Sequence, residues 1–240
     1  SNTTGGNNTA VGYQALNANT TASYNTAFGS SALLVCETGQ RNVAVGYQAM
    51  VAASTGSDSA VVGAYAGLKV TTGIENTLIG YYSGSEITTQ DYNTAIGSGA
   101  LQNNTAATNT AVGRSALYAN TTGTDNTAVG FSALDANSTG SDNTAIGDNA
   151  LGANTTASNN TAVGSNALLL NSTGALLVAV GDDCLSSNTT GARNTALGRN
   201  TMNANTTGTG NTAIGNNALT TATEADDNVA VGRNSLNVLT

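Results

Sequence analysis

A short pattern of apolar and polar positions recurs along the whole chain. The segments that begin at Asn8, Asn25 and Asn143 read NTAVGYQAL, NTAFGSSAL and NTAIGDNAL, and their glycine recurs fourteen times. Successive glycines are seventeen residues apart, except for one interval of sixteen near Ala107 and Thr108. The unit reads N-T-A-V-G-x-x-A-L-x-x-N-T-T-G-x-x, and its residues are numbered here as positions 1 to 17. Regular self-similarity of this kind is the signature of a repeat fold.

The unit is too short for two helices, and its glycine and Asn-Thr-Thr content opposes any long helix. Seventeen residues suit one coil of a parallel β-solenoid, with two or three short strands joined by Gly and Asn turns. A disordered tract is disfavoured because position 4 is always Val, Ile, Leu or Phe. Position 9 is Leu or Met in every coil except at Gly67 and Gly84.

The sequence therefore predicts an all-β fold, a single array over residues 1–240 that forms a rod of roughly 65 Å at ~4.8 Å per coil. We expect this array to be a segment of a longer protein. The fourteen predicted coils begin near Asn8, Asn25, Asn42, Ser59, Asn76, Asn93, Asn109, Asn126, Asn143, Asn160, Leu177, Asn194, Asn211 and Asn228.

Positions 2, 4 and 9 are expected to face the core, and period-two geometry then points position 3 outward. Position 3 is nevertheless apolar in every copy, and a strand that is apolar on both faces has both faces buried. An exposed apolar stripe along the whole rod is a feature that monomers avoid, so we predict a subunit interface there. Its candidate residues are Ala10, Ala27, Ala44, Val61, Leu78, Ala95, Ala111, Ala128, Ala145, Ala162, Ala179, Ala196, Ala213 and Ala230.

Asparagine dominates positions 1 and 12. At position 12 it alternates with apolar residues such as Val70 and Ile87. This alternation predicts amides that point inward and stack from coil to coil in hydrogen-bonded ladders. Glycines at positions 5 and 15 fit turns with positive φ.

Composition narrows the function. Only 8% of residues are charged, the net charge is −8, and no His is present. Imidazole catalysis and His-containing metal sites are therefore excluded, and nucleic acid or an anionic membrane is an unfavourable partner. No apolar run reaches the length of a membrane span. We expect no enzyme activity, no catalytic residues, no metal and no cofactor, and we expect Cys36 and Cys184 to be buried free thiols.

Specific recognition is expected at the variable positions 6, 7, 10, 11, 16 and 17. Tyr13, Tyr47, Tyr81 and Phe131 all occupy position 6, where exposed rings either stack on sugars or only cover a coil edge. The pair Asp182–Asp183 and the cluster Glu224, Asp226 and Asp227 could attract a divalent cation or could simply be solvated.

At the motif N-T-A-[VI]-G-x-x-A the chain resembles the head repeats of trimeric autotransporter adhesins. The phrases at Gly12–Leu16 and at Asn120–Gly123 with Asn126–Gly130 also look like repeat arrays in phage and large-virus tail fibres. The resemblance begins near Asn8 and covers nearly the whole chain. It implies a left-handed parallel β-roll assembled as a homotrimer. The unit here is longer than that of the adhesin heads, and we expect no coiled-coil stalk, membrane anchor or chaperone domain within this array.

The leading hypothesis is a structural and adhesive segment of an extracellular trimeric fibre, on a virion or a bacterial surface, whose repeated weak contacts to a host glycan or receptor give avidity. An alternative is an ice- or surface-binding solenoid that uses the Thr pairs of positions 13 and 14, such as Thr20-Thr21 and Thr155-Thr156. A third is a polysaccharide depolymerase acting between subunits, with Asp182 and Asp183 as its only signature.

Overall fold

The chain folds as an all-β parallel solenoid in the computed structural model, which describes residues 2–237. Each repeat contributes one strand of three residues at positions 2 to 4, where the β-branched Thr, Val and Ile concentrate. The predicted second and third strands of each coil are absent from the described residues, since turns occupy the rest of each coil.

The chain divides into two compact units, Ser1–Thr122 and Gly123–Thr240. The first unit contains β1 (Thr9–Val11), β2 (Thr26–Phe28), β3 (Val43–Val45), β4 (Ala60–Val62), β5 (Thr77–Ile79), β6 (Thr94–Ile96) and β7 (Thr110–Val112). The second contains β8 (Thr127–Val129), β9 (Thr144–Ile146), β10 (Thr161–Val163), β11 (Val178–Val180), β12 (Thr195–Leu197), β13 (Thr212–Ile214) and β14 (Val229–Val231).

Within each unit the strands pair in parallel, in chain order, with equal repeat positions side by side. In the second unit Ala162 of β10 is aligned with Ala179 of β11. The one short repeat keeps this register, because Thr94 of β6 is still aligned with Thr110 of β7. The missing residue is therefore absorbed in the turn that precedes β7.

Outside the strands, alternating backbone conformations keep the coils hydrogen bonded to one another. Positions 7, 9 and 17 have positive φ in nearly every coil, for example 53° at Asn149 and at Leu151. The amide of Asn149 donates to the carbonyl of Phe131 in the preceding coil, and that of Leu151 donates to Ala167 in the following one. Because the backbone conformation alternates along the turn, its N–H groups point to the preceding coil at one residue and to the following coil at another. The buried amide groups of the turns are therefore hydrogen bonded as well.

The glycine at position 5 is required by both its conformation and its neighbours. Gly147 has a φ of 138°, and a Cβ placed on it would lie 2.6 Å from the carbonyl carbon of Gly164 in the next coil. Because each such glycine stacks directly on the next, no side chain fits between them.

The core differs from the prediction in one respect. Position 9 is buried as predicted in every coil but the last, but position 3 also points inward, and Ala27, Ala95, Ala145 and Ala196 have no exposed surface. Positions 2 and 4 face outward instead, and the Ile146 side chain at position 4 is 40% exposed. The prediction that positions 2 and 4 line the core and that position 3 faces a partner is therefore wrong. All three positions are apolar in some coils, so alternation alone left the inward face ambiguous.

Two coils show why position 3 belongs inside. Where position 3 enlarges to Val61 and Leu78, position 9 shrinks to Gly67 and Gly84. A Cβ on Gly84 would lie 2.7 Å from Cδ2 of Leu78 and 2.9 Å from Cδ1 of Ile87. Positions 3, 9 and 12 thus share one closely packed interior, and side-chain volume lost at one position is recovered at another.

The predicted asparagine ladders are confirmed. Nδ2 of Asn143 at position 1 donates to the carbonyl of Ala157, 2.9 Å away, and its Oδ1 accepts from the backbone amide of Asn160. Position 12 forms a second ladder in which Nδ2 of each amide donates to Oδ1 of the amide before it, as Asn154 does to Asn137 at 2.9 Å. Within the ladders, most buried amide groups thereby find hydrogen-bond partners in the chain itself.

Candidate interaction surfaces

Because the strand faces are opposite to those predicted, the exposed apolar residues lie at positions 2 and 4 and not at position 3. Apart from Ala10 in the first coil, the predicted interface residues are buried within a single chain, so they cannot contact another subunit. We call the outward side of the strands the sheet face. It consists of position 2, which is mostly Thr, and position 4, which is always Val, Ile, Leu or Phe.

The sheet face is uncharged in both units, and its position 4 is apolar throughout. In the first unit Phe28 is 56% exposed and Ile79 is 37% exposed, and in the second Leu197 is 47% exposed. No coil places Asp, Glu, Lys or Arg at position 2 or 4. Glycine follows at position 5, so the backbone is open to close approach along one border of this face. Exposed apolar patches of this continuity mark interaction sites.

The threonine pairs at positions 13 and 14 lie away from this face and are tied into the coils. The Thr155 hydroxyl at position 13 donates to the carbonyl of Ser172 in the next coil, 3.2 Å away. Thr189 and Thr206 do the same towards Thr206 and Thr223. These threonine hydroxyls of position 13 therefore donate to backbone carbonyls of the same chain.

Two of the predicted recognition residues belong to one aromatic cluster in the first unit. Tyr47 and Tyr81 at position 6 both contact Tyr65 at position 7 of the coil between them, with ring centroids 5.3 and 6.1 Å apart. Tyr65 also stacks on Tyr82, with centroids 4.8 Å apart and planes 15° apart. We call these four residues the tyrosine cluster. The prediction missed its position 7 members, which the adjacent Tyr81-Tyr82 pair could have revealed.

The other two predicted residues stand outside this cluster. Tyr13 is 72% exposed in the first coil, and Phe131 is 47% exposed in the second unit.

The acidic candidates are engaged in ordinary surface contacts. Asp182 lies 3.4 Å from the Arg199 guanidinium, and Asp183 accepts a hydrogen bond from the amide of Asn166 at 3.1 Å. Asp226 accepts from the backbone amide of Thr209. Among residues 2–237, no group of three or more potential ligands is arranged to hold a metal ion.

Both cysteines are buried free thiols, as predicted. Cys36 occupies position 12 and donates to the carbonyl of Gly39, as the asparagines of that ladder donate to position 15. Burial is the main cause that raises the pKa of Cys36 to about 11 and that of Cys184 to about 12. Neither sulfur is a nucleophile at neutral pH, because the reactive species is the thiolate.

The comparisons with known proteins found no match to any family model, to any curated protein or to any solved structure. The surface of the described part of the chain contains no pocket. Residues 2–237 also contain no helix that is long and apolar enough to cross a membrane.

Proposed function

We propose that the chain is a structural segment of an extracellular fibre that assembles with identical chains through the sheet face and presents its variable positions to a host surface. The observation that carries this proposal is the apolar side chain at position 4 of every coil, exposed or partly exposed within each unit, with no charge at positions 2 or 4. Burial of such a column between chains removes apolar side chains from water, at roughly 25 cal/mol per Å².

A second copy is the partner that suits this face best. The face has Thr at position 2 in most coils and an apolar residue at position 4 in every coil. Every copy of the chain therefore presents the same pattern from strand to strand. Closed homo-oligomers use one surface patch in every subunit. The resemblance to trimeric fibre repeats favours three copies and a left-handed coil.

The test is the solution mass by light scattering. We expect three times the 23.6 kDa of one chain. The double variant Ile146→Lys/Ile214→Lys places two charges on the sheet face and should reduce the mass to that of a monomer. The matched control Asp148→Lys/Asn216→Lys places lysines two residues further along, at position 6, and should keep the oligomer. A wild-type monomer, or a sheet-face variant that stays assembled, would overturn the proposal.

Ice or crystal-surface binding is the second candidate, and one observation favours it. In most coils position 2 places a Thr beside the apolar position 4, as Thr144 and Thr161 do at the regular spacing of a parallel sheet. The relevant ladder is then on the sheet face and not at positions 13 and 14. A monomeric chain that shapes ice and shows thermal hysteresis would favour this candidate. Depolymerase activity is the third candidate, and Asp182→Asn with Asp183→Asn tests it in a glycan cleavage assay.

A further inference from the structure

The tyrosine cluster is the part of the surface that departs most from the repeat. Tyr47, Tyr65, Tyr81 and Tyr82 come from three consecutive coils and touch one another edge to face or stacked. Edge-to-face and offset-stacked pairs are the favourable arrangements of aromatic rings, so the rings hold one another in place. Tyr47 and Tyr81 nevertheless remain 46% and 55% exposed.

Positions 6 and 7 of the coils around these rings carry no charge. In the first six coils, positions 6 and 7 carry only Tyr, Gln, Ser, Ala and Gly. The Gln48 side chain lies beside the cluster and donates from Nε2 to the Tyr47 hydroxyl, 3.3 Å away. In the second unit the same two positions carry Asp148, Asp182, Asp183, Arg199 and Arg233. The four clustered tyrosines therefore lie in the part of the array where positions 6 and 7 carry no charged residue.

Size and shape restrict the ligand. The cluster spans three coils, or about 10 Å between the outermost coils at ~4.8 Å per coil. A patch of this extent is far smaller than the surface that a stable protein partner buries. The described surface has no pocket, so an aromatic cage around a cation is absent there. A ligand of this cluster must lie flat on exposed rings and use neutral hydrogen-bonding groups at their edges.

We infer that the tyrosine cluster is a binding site for a neutral glycan of two or more hexopyranose units. The C–H face of a sugar ring packs on a tyrosine ring, while the phenol hydroxyls and the Gln48 amide exchange hydrogen bonds with sugar hydroxyls. The net charge of −8 disfavours acidic glycans. This inference deepens the proposed function and rests on it for avidity, because assembly repeats one weak site on each chain.

The variants can be chosen from residues that the chain already uses at these positions. Position 7 has positive φ and is Asn at Asn149 and Asn166, so Tyr65→Asn/Tyr82→Asn removes the stacked pair without a new backbone conformation. The control is Tyr24→Asn/Tyr92→Asn, which removes two tyrosines outside the cluster, 59% and 54% exposed, at position 17, where φ is also positive and the chain already uses Asn159.

The experiment measures binding of wild-type protein and both variants to an array of immobilised neutral and sialylated glycans. Solution titration with the strongest neutral oligosaccharide follows, and solution mass is determined on the same samples. We expect neutral hexopyranose glycans to bind, the cluster variant to lose at least about tenfold in affinity, and the control to bind as wild type.

Three results would overturn the inference: no glycan bound, only sialylated glycans bound, or equal loss in variant and control. The solution mass separates this outcome from that of the proposed function. A trimer that binds no glycan overturns only the inference, whereas a monomer that binds neutral glycans through the cluster overturns only the fibre assembly.

Discussion

At the scale of single residues, side-chain volume decides which face of each strand lies inside. A coil of seventeen residues has a narrow interior, and Leu at position 9 leaves room only for Ala at position 3. In the fourth and fifth coils the large residue is at position 3 and glycine is at position 9. Leu78 there fills the space that a side chain on Gly84 would occupy. Because the interior is closely packed, a substitution at one of these positions disturbs the packing of the side chains around it.

The exchange predicts strong coupling between Leu78 and Gly84. Leu78→Ala should cost about 2–5 kcal/mol by leaving a cavity. Gly84→Leu should destabilise by overpacking, because its Cβ would meet Leu78 at 2.7 Å. The double variant restores the Ala and Leu that most other coils have at positions 3 and 9, where Leu adopts the same positive φ, and should be more stable than either single variant. Urea unfolding measures the cycle, and additive effects would contradict a shared interior.

The buried thiols predict a loss of stability at alkaline pH. Their pKa rises from 9.0 to about 11 and about 12 in the folded chain, so the unfolded chain ionises first. Stability from this source is complete below pH 9 and falls as pH rises towards 12. We expect the Cys36→Ala/Cys184→Ala variant to lose less stability than wild type between pH 8 and pH 10.5. A thiol reagent should label neither cysteine in native protein at pH 8 and both in denaturant. An equal pH slope in the two proteins would contradict this.

At the scale of structural elements, ladders of identical side chains end where the repeat is interrupted. In the second unit the position 12 ladder runs through Asn137, Asn154, Asn171, Asn188 and Asn205. The next coil has Ala222 at that position, and Oδ1 of Asn205 is buried with no hydrogen-bond partner. A buried acceptor without a donor costs about 1–3 kcal/mol.

Ala222→Asn is therefore expected to stabilise the protein, by about 1 kcal/mol. Its new Nδ2 would donate to Oδ1 of Asn205 and to the carbonyl at position 15, as Asn205 itself does towards Asn188 and Gly208. Thermal unfolding measures the gain. Leucine has the same number and branching of side-chain heavy atoms as asparagine and no amide, so Ala222→Leu is the matched control and should not stabilise. Equal effects of the two substitutions would show that volume, and not the hydrogen bond, matters there.

The period and the asparagine ladders could be predicted from the sequence, because both depend on identical residues recurring at identical positions. The orientation of the strands could not be predicted from alternation, since Thr, Ala and Val at positions 2 to 4 read as apolar or ambivalent on both faces. The paired changes at Leu78 and Gly84 contain that information. The position 7 tyrosines escape a comparison that follows position 6 alone, although the adjacent Tyr81-Tyr82 pair marks both positions.

At the scale of the whole molecule, a solenoid is held together by contacts between neighbouring coils. Each strand pairs only with the strands before and after it in its unit, and the hydrogen bonds of the turns likewise join adjacent coils. The stability of such an array is approximately a sum over repeats and the contacts between nearest neighbours. Length should therefore be adjustable in whole coils.

Deletion of residues 143–159 tests this additivity. It joins Asp142 to Asn160, so that β8 would pair with β10 in the original register and Oδ1 of Asn126 would accept from the amide of Asn160 as it now does from Asn143. We expect unchanged circular dichroism per residue and a cooperative unfolding transition only a few degrees lower. Deletion of residues 143–150 is the control, since the loss of eight residues places every later side chain at the wrong position of its coil. If both deletions unfold the protein, the coils do not act as interchangeable units, and if both are tolerated, register does not determine the pairing.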